Sequence, residues 1–337
     1  MRNMRGINIS LNRAMRAIPR TLIHTRPART ISQMVAKMEH AHLPNTCQYT
    51  AKTDRGDYIV QIAWPLIWGE DRVPHKEEPV NTIYVVDGNA YFFTAVDVTR
   101  RTEFTHQERT VVVGIGYPNK TCVYDHRRGP DLTPPTADGK YDIPLDAFGQ
   151  PQDHLQFGEA SIFLDTIENT IMPHVQDTLF PKAPLNTGRK ALFGHSYGGI
   201  FALNTLYTKP ELFNTIIAGS PVVWWNYSSI IKEQEKAFLA RKDTIDKPPA
   251  LLMTYGSAAS ELKMTPGEPD ESFAKRKACS EADQMETRVK EMVERLGSSP
   301  NIRNIWTWKF EGEDHGSSAV TGVQHGIIKF LCEKHIG

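Results

Sequence analysis

Short apolar runs, separated by polar segments rich in glycine and proline, dominate the chain from about residue 48 onward. Two strand-like runs, 48–53 and 57–64, flank Asp54-Arg55-Gly56, and this pattern predicts a hairpin. The later runs are more uniformly apolar, which is typical of strands buried on both faces of a mostly parallel sheet. They cover residues 81–86, 110–115, 190–193, 215–218, 250–255 and 305–310.

Helical patterns lie between these predicted strands. Residues 157–175 place Phe163, Ile167 and Ile171 at a spacing that forms one helix face. Further helices are predicted at 197–208, 272–296 and 320–334. Strands that alternate with helices predict an α/β fold, with a mostly parallel central sheet and helices on both faces.

Two segments interrupt this alternation. Residues 117–156 are rich in Pro, Gly and Asp, and residues 226–249 contain a charged helix that ends before Pro248. Connections of this length in a compact domain are usually functional or disordered. We therefore expect both to lie over the carboxyl ends of the strands, where α/β folds bind ligands.

A candidate nucleophile lies in the sequence GHSYG at residues 194–198. The flanking glycines allow a sharp turn from strand to helix, which lifts the serine hydroxyl out of the sheet. G-x-S-x-G alone is a weak signal, but here it follows a predicted strand and opens a predicted helix at Tyr197. We therefore predict that Ser196 is a nucleophile in an α/β-hydrolase fold. The alternative is a tight turn that happens to contain serine.

A serine hydroxyl needs a base to remove its proton. The histidines that follow Ser196 are His315, His325 and His335. His315 comes just after the last predicted strand, where this fold places its base, whereas the other two lie in the predicted C-terminal helix. His315 is therefore the predicted general base.

The remaining catalytic groups follow from the order of the strands. Glu261, after the predicted strand 250–255, is the preferred acid to orient His315. The oxyanion of the tetrahedral intermediate is expected to bind the backbone N–H groups of Tyr197 and Asn89. The acid stays open between Glu261, a Ser–His pair without an acid, and the rival carboxylates Glu268, Asp270, Glu313 and Asp314.

Four segments together resemble the siderophore esterases that include the bacterial IroE-like enzymes. They are VVDGNA at 85–90, LFGHSYGG at 192–199, GSPVVWW at 219–225 and GEDHG at 312–316. The resemblance covers about residues 48–334. It implies hydrolysis of the ester bonds of iron-chelating trilactones without a cofactor, and some members of this branch are thought to use a Ser–His pair alone.

The resemblance extends to candidate substrate-binding residues. Arg127 and Arg128 lie in a segment similar to the family's Arg-containing loop, where an arginine binds an anionic or metal-chelated substrate through paired hydrogen bonds. A surface arginine without a ligand is the alternative. Trp224 and Trp225 are expected to form an aromatic wall of the pocket, and core packing is the alternative for them.

The N-terminal region has a different composition. Residues 1–38 carry seven Arg, one Lys and no acidic residue, although the whole chain is formally neutral. We predict a basic extension over residues 1–47 and an α/β-hydrolase domain over residues 48–337. The extension resembles a mitochondrial transit peptide. A poorly ordered extension, or a start site ahead of Met34 or Met38, explains the same pattern.

Composition narrows the remaining functional classes. No apolar run approaches the roughly 20 residues of a membrane span. The four cysteines lie far apart in the sequence, which favours a reducing compartment. Two disulfides are the alternative interpretation. No metal, cofactor or nucleic-acid partner is predicted. His40 and His42 with Glu39 are the group that most resembles a metal site, but they lack further ligands. We expect a cytoplasmic enzyme acting on a small-molecule ester, with a mitochondrial location as the alternative. A general carboxylesterase or thioesterase and a non-catalytic binding protein are the rival functions.

Overall fold

One eight-stranded sheet forms the centre of the computed structural model, in the order β1-β2-β4-β3-β5-β6-β7-β8. The structure describes residues 43–332, apart from residues 147, 149, 260, 261 and 265 and the side chains of 276 and 279–283. Each predicted apolar run coincides with a strand. The strands are β1 Thr46–Ala51, β2 Tyr58–Ala63, β3 Asn81–Val86, β4 Thr110–Gly116, β5 Lys190–His195, β6 Thr215–Gly219, β7 Ala250–Ala258 and β8 Asn304–Asp314.

The parallel direction of most strands places their carboxyl ends along one edge of the sheet. β1 and β2 form the predicted antiparallel hairpin, and β2 pairs antiparallel with β4. Gly56 in the connecting turn has φ 105°, which glycine adopts without a Cβ clash. The other pairs, from β4 through β3 to β8, are parallel. The carboxyl ends of β3, β5, β6, β7 and β8 therefore lie along the same edge.

The helices differ from the sequence prediction in several respects. The helix predicted over 157–175 is an α-helix over Ala160–Thr166 that is followed by π-helical stretches over Ile167–Ile171 and His174–Leu179. The single helix predicted over 272–296 is two helices, because Gln284 adopts a left-handed conformation with φ 45° between them. The helices over Gly88–His106 and Arg128–Leu132 were not predicted. The helices are α1 Gly88–His106, α2 Arg128–Leu132, α3 Ala160–Thr166, α4 Tyr197–Thr208, α5 Trp225–Ile230, α6 Lys236–Leu239, α7 Asp270–Asp283, α8 Met285–Leu296 and α9 Ser317–Cys332.

Helices cover both faces of the sheet, as predicted. On one face, α1 and α9 pack against the sheet through residues such as Phe92, Val323 and Ile327. On the other face, α3, α4 and α8 form a larger core that includes Phe163 and Leu203. Within the described part of the chain, no helix combines the length and apolar character of a membrane span.

The two irregular segments contact each other. The Asn226 side chain donates to the Lys140 carbonyl (3.1 Å) and accepts from the Asp142 N–H (2.8 Å). The Glu233 carboxylate accepts the Ala137 N–H at 3.0 Å. Residues 135–142 and 226–234 therefore form one joined layer rather than two separate loops.

Candidate active site

Ser196 lies in the turn between β5 and α4 in a strained backbone conformation. Its φ is 60° and its ψ is −116°, a combination that residues with a Cβ rarely adopt. Its N–H donates to the Gly219 carbonyl on β6 at 2.9 Å, which fixes the turn against the neighbouring strand. A Cβ at Gly194 would lie 2.0 Å from the Gly198 carbonyl oxygen. The chain can therefore turn this sharply only because residue 194 is glycine.

His315 occupies the turn between β8 and α9 at the same edge of the sheet. Its ring centroid lies 4.8 Å from the ring centroid of His195, which immediately precedes Ser196. The fold therefore brings the predicted base against the residue that precedes the predicted nucleophile, although the two are far apart in sequence.

Asp314, one of the rival acids, stabilises the turn that carries His315. Its Oδ1 accepts the N–H groups of Gly316 and Ser317 at 2.9 and 2.8 Å, and its own N–H donates to the Ser317 hydroxyl at 3.0 Å. These bonds cap the start of α9 and hold its first turn. The observed role of this carboxylate is therefore to shape the backbone of the loop.

The other candidate acids lie in different environments. Glu261 is outside the described residues. Glu268 is buried, Asp270 is exposed at the start of α7, and Glu313 is half-buried near the end of β8. The strand-order argument that favoured Glu261 thus stays a prediction.

The site favours the neutral form of His315. Burial lowers its pKa, and the positive charge of Arg128 lowers it further, whereas the Asp314 carboxylate acts in the opposite direction. The net pKa lies below the ordinary histidine value. A base in this position is therefore unprotonated, and able to accept a proton, at neutral pH.

Both predicted oxyanion donors lie at helix N-termini, on the edge of the sheet that carries Ser196 and His315. Tyr197 is the first residue of α4, and Asn89 is the second residue of α1. N–H groups in the first turn of a helix have no partner within the helix. The Asn89 side chain is fixed, because it accepts the Tyr117 N–H at 2.7 Å and donates to the Tyr117 carbonyl at 2.9 Å. This contact fastens the start of α1 to the residue after β4.

Arg128 is held beside the serine turn by a buried carboxylate. Its Nε and Nη2 donate to the two oxygens of Asp87 at 3.1 and 2.9 Å. Its guanidinium lies 4.9 Å from the Tyr124 ring centroid and 5.3 Å from that of Tyr197. Burial alone would lower the pKa of Arg128, but Asp87 outweighs burial and raises it, so the guanidinium stays charged.

Arg127 points elsewhere, although it is the adjacent residue. Its Nη1 donates to the Asp57 carbonyl at 2.7 Å, and its guanidinium lies 4.5 Å from the Tyr58 ring centroid. It packs against the β1–β2 hairpin. Of the two arginines that the sequence could not separate, Arg128 is the one next to Tyr197.

The two tryptophans also differ. Trp225 is buried, stacks on Tyr141 at 6.0 Å with 25° between the ring planes, and meets Tyr197 at 6.2 Å. Trp224 is half-buried and packs against the core. Trp225 therefore continues an aromatic surface that starts at Tyr197. Sequence reasoning missed Tyr141 and Tyr124 at the site, because no local motif marks them. Asp87 lies in the VVDGNA segment, but no role was predicted for its side chain.

A cavity of about 470 Å³ adjoins this aromatic surface at Tyr141. Tyr141 and Tyr227 line it, together with other residues of the two joined segments. Tyr141 links this cavity to the aromatic surface, because it also stacks on Trp225, which in turn meets Tyr197.

A strained serine on a strand-to-helix turn, a histidine loop beside it and a mostly parallel sheet covered by helices define the α/β-hydrolase fold. Comparison with known proteins narrows this class. The chain matches the family model described as "Putative esterase" over residues 56–295. The chain belongs to this family, and it is a carboxylic ester hydrolase.

Individual relatives and structures are similar over most of the chain. The chain is 35% identical over 293 residues to the siderophore triacetylfusarinine C esterase of Aspergillus fumigatus. This alignment covers 86% of this chain and 94% of the relative. The chain is also 35% identical over 283 residues to the siderophore enterobactin esterase of Emericella nidulans, covering 83% and 91%. The solved structure of siderophore hydrolase EstA from Aspergillus nidulans superposes with a TM-score of 0.79 at 32% identity, covering 88% of this chain and 97% of that one.

Proposed function

We propose that this enzyme hydrolyses the ester bonds of ferric siderophores of the trilactone type and so releases their iron. The observation that carries the proposal is 35% identity over 86% of the chain to an esterase named for a siderophore substrate. The geometry around Ser196 supplies the parts that such a reaction needs. Ferric iron is part of the substrate here, and the protein itself supplies the hydrolytic groups.

In the proposed first half-reaction, Ser196 Oγ attacks the ester carbonyl carbon while His315 takes the hydroxyl proton. The carbonyl oxygen becomes an oxyanion that accepts hydrogen bonds from the N–H groups of Tyr197 and Asn89. The C–O bond to the leaving group then breaks, and His315 gives its proton to the departing alcohol. The product of this step is an acyl-enzyme on Ser196.

In the second half-reaction, His315 takes a proton from water, and the resulting hydroxide equivalent attacks the acyl carbon. The bond to Ser196 Oγ breaks, and the proton on His315 returns to the serine. The net change is one water consumed, with one carboxylic acid and one alcohol formed. Activity is expected to rise with pH as His315 loses its proton, with a midpoint below the ordinary histidine pKa because that pKa is lowered.

Arg128 and the aromatic surface at Trp225 are proposed to bind the substrate. The Asp87 contacts use Nε and Nη2 of Arg128, which leaves the Nη1 side of the guanidinium for an anionic chelate. Arg127 is proposed to support the loop by packing, since its guanidinium lies over Tyr58. Trp224 is proposed to act mainly through core packing.

The direct test is product analysis by mass spectrometry. Wild type, Ser196→Ala and His315→Gln are incubated with ferric trilactones of the hydroxamate and catecholate kinds and with p-nitrophenyl butyrate. His325→Gln serves as the matched control. His325 lies on α9, packs against Trp308 of β8 and takes no part in the proposed chemistry. Stepwise ring opening by wild type and His325→Gln alone supports the proposal. Cleavage of only the small ester would instead assign a general carboxylesterase, and no covalent labelling by a fluorophosphonate would point to a binding protein.

The identity of the acid has a separate test. Glu261→Gln and Asp314→Asn are compared for kcat on p-nitrophenyl butyrate. If Glu261 orients His315, its variant loses about 10³–10⁴-fold in kcat, as expected when the base adopts the wrong tautomer. Retention of most activity by Glu261→Gln would exclude Glu261 as the acid, and retention by Asp314→Asn as well would favour the Ser–His pair over either carboxylate.

A further inference from the structure

His195 is a buried histidine at the centre of the site that the proposed mechanism does not use. It is 3% exposed, and its ring contacts two other rings, those of His315 at 4.8 Å and Tyr91 at 6.1 Å. Its Nδ1 is buried with no hydrogen-bond partner among the described residues. A Cβ at Gly219 would lie 3.1 Å from this nitrogen, so the ring sits close against the bare glycine on β6.

The His195 ring lies against the residue that carries the base. The ring centroids of His195 and His315 are 4.8 Å apart, and the interaction of the ring with the His315 backbone acts to raise the pKa of His195. Ser318 reaches the same residue, because its hydroxyl donates to the His315 carbonyl at 3.2 Å. The Ser318 hydroxyl is itself held at 3.1 Å from the hydroxyl of Ser220, the residue after β6. The base loop is thus fastened to the ends of both β5 and β6.

We propose that His195 is a positioning residue that holds the backbone of the His315 loop over the nucleophile turn. Because His195 and Ser196 are adjacent, one short segment carries both the nucleophile and the support of its base. Any shift of β5 therefore moves the nucleophile Ser196 and the supporting residue His195 together. This inference rests on the proposed function only in taking His315 as the base, and it is independent of the siderophore substrate.

The electrostatic surroundings suit this role. Burial, followed by the proximity of His315, lowers the pKa of His195 to about 3, although the interaction with the His315 backbone acts in the opposite direction. The charged or titratable groups around the two rings are Arg128 and Asp87 at the ends of α2 and β3, Tyr91 on α1, Tyr197 on α4 and Asp314 on β8. His195 therefore stays neutral while His315 gains and loses its proton, so the two rings do not repel each other during turnover.

The test compares His195→Phe, which keeps a planar ring without nitrogen, with His195→Asn, which keeps a hydrogen-bond donor. With p-nitrophenyl butyrate, His195→Phe is expected to lower kcat about 10–100-fold with little change in KM, because misplacing a catalytic group by about 1 Å has effects of this size. Its pH–rate midpoint is expected to rise, since a loosened loop exposes His315 to water. His195→Asn should recover part of kcat and of the midpoint.

Several outcomes decide the matter. Retention of wild-type kcat within about twofold, together with an unchanged pH midpoint in His195→Phe, would overturn the proposal, whatever the change in thermal stability. Proton NMR of the wild type gives a second result that needs no variant: a slowly exchanging ring N–H on His195 supports the contact, and protonation of His195 near pH 6 refutes it. Ser196→Ala is assayed in parallel. If that variant retained activity, the proposed function would fail instead, and the two failures are thereby distinguished.

Discussion

The strain at Ser196 predicts that the nucleophile destabilises the fold. A residue with a Cβ in a sparsely populated left-handed conformation costs about 1–3 kcal/mol. Ser196→Gly removes that cost, because glycine adopts φ 60° and ψ −116° readily. Glycine also makes the unfolded chain more flexible, which offsets about 0.5–1 kcal/mol. The net expectation is a protein more stable by about 0.5–2 kcal/mol, and without activity.

Ser196→Ala is the matched control for this experiment. It removes the same hydroxyl but keeps the Cβ, so it should lose activity without gaining this stability. Thermal or denaturant unfolding of wild type and both variants measures the difference. For a chain of this size a melting temperature about 1–3 °C higher is expected for Ser196→Gly. Equal stability of the glycine and alanine variants would refute the claim that the turn is strained.

Three further predictions concern the elbow, the base and the N-terminal extension. Gly194→Ala should lower the free energy of unfolding by at least the roughly 1–3 kcal/mol of overpacking and abolish turnover, because its Cβ meets a carbonyl at 2.0 Å. Gly198→Ala, whose Cβ meets Val86 at 3.1 Å, should have a milder effect. Denaturant unfolding compares the two variants. Arg128→Met should raise the pH–rate midpoint, since removing a positive charge favours protonated His315; Arg127→Met is the control, and an equal rise there would contradict the assignment. A C-terminally tagged full chain should appear in the cytoplasm by fluorescence microscopy, and mitochondrial fluorescence that is lost on deleting residues 1–47 would make that extension a targeting segment instead.

Much of the fold could be predicted from the sequence because its signals are local. The inner strands, β3 to β7, are largely apolar and buried, and the hairpin and elbow are set by glycines at fixed offsets. Helix α1 lacked such a signal. Its core-facing positions include Thr99 and Thr102, whose hydroxyls donate to carbonyls of their own helix at about 3 Å. Buried polar residues that satisfy themselves in this way hide the helical period.

The break between α7 and α8 was hidden for a different reason. Gln284 turns the chain in a left-handed conformation, and neither glycine nor proline marks the position. The sequence pattern of apolar and charged residues continues across it, so a single long helix was the natural prediction. On α8, Met285, Val289 and Met292 are buried in the core, so the helix is fixed by tertiary packing that the local pattern does not reveal.

For the site, sequence patterns alone point to a serine in a turn-forming motif and to a histidine after the last strand. The surroundings of these two residues follow from tertiary packing. Asp87 and Arg128 lie 41 residues apart, and His195 meets His315 across the sheet edge. The physical reason is that burial and charge pairing depend on distances between elements, and these are set by packing of the whole domain rather than by any local stretch of chain.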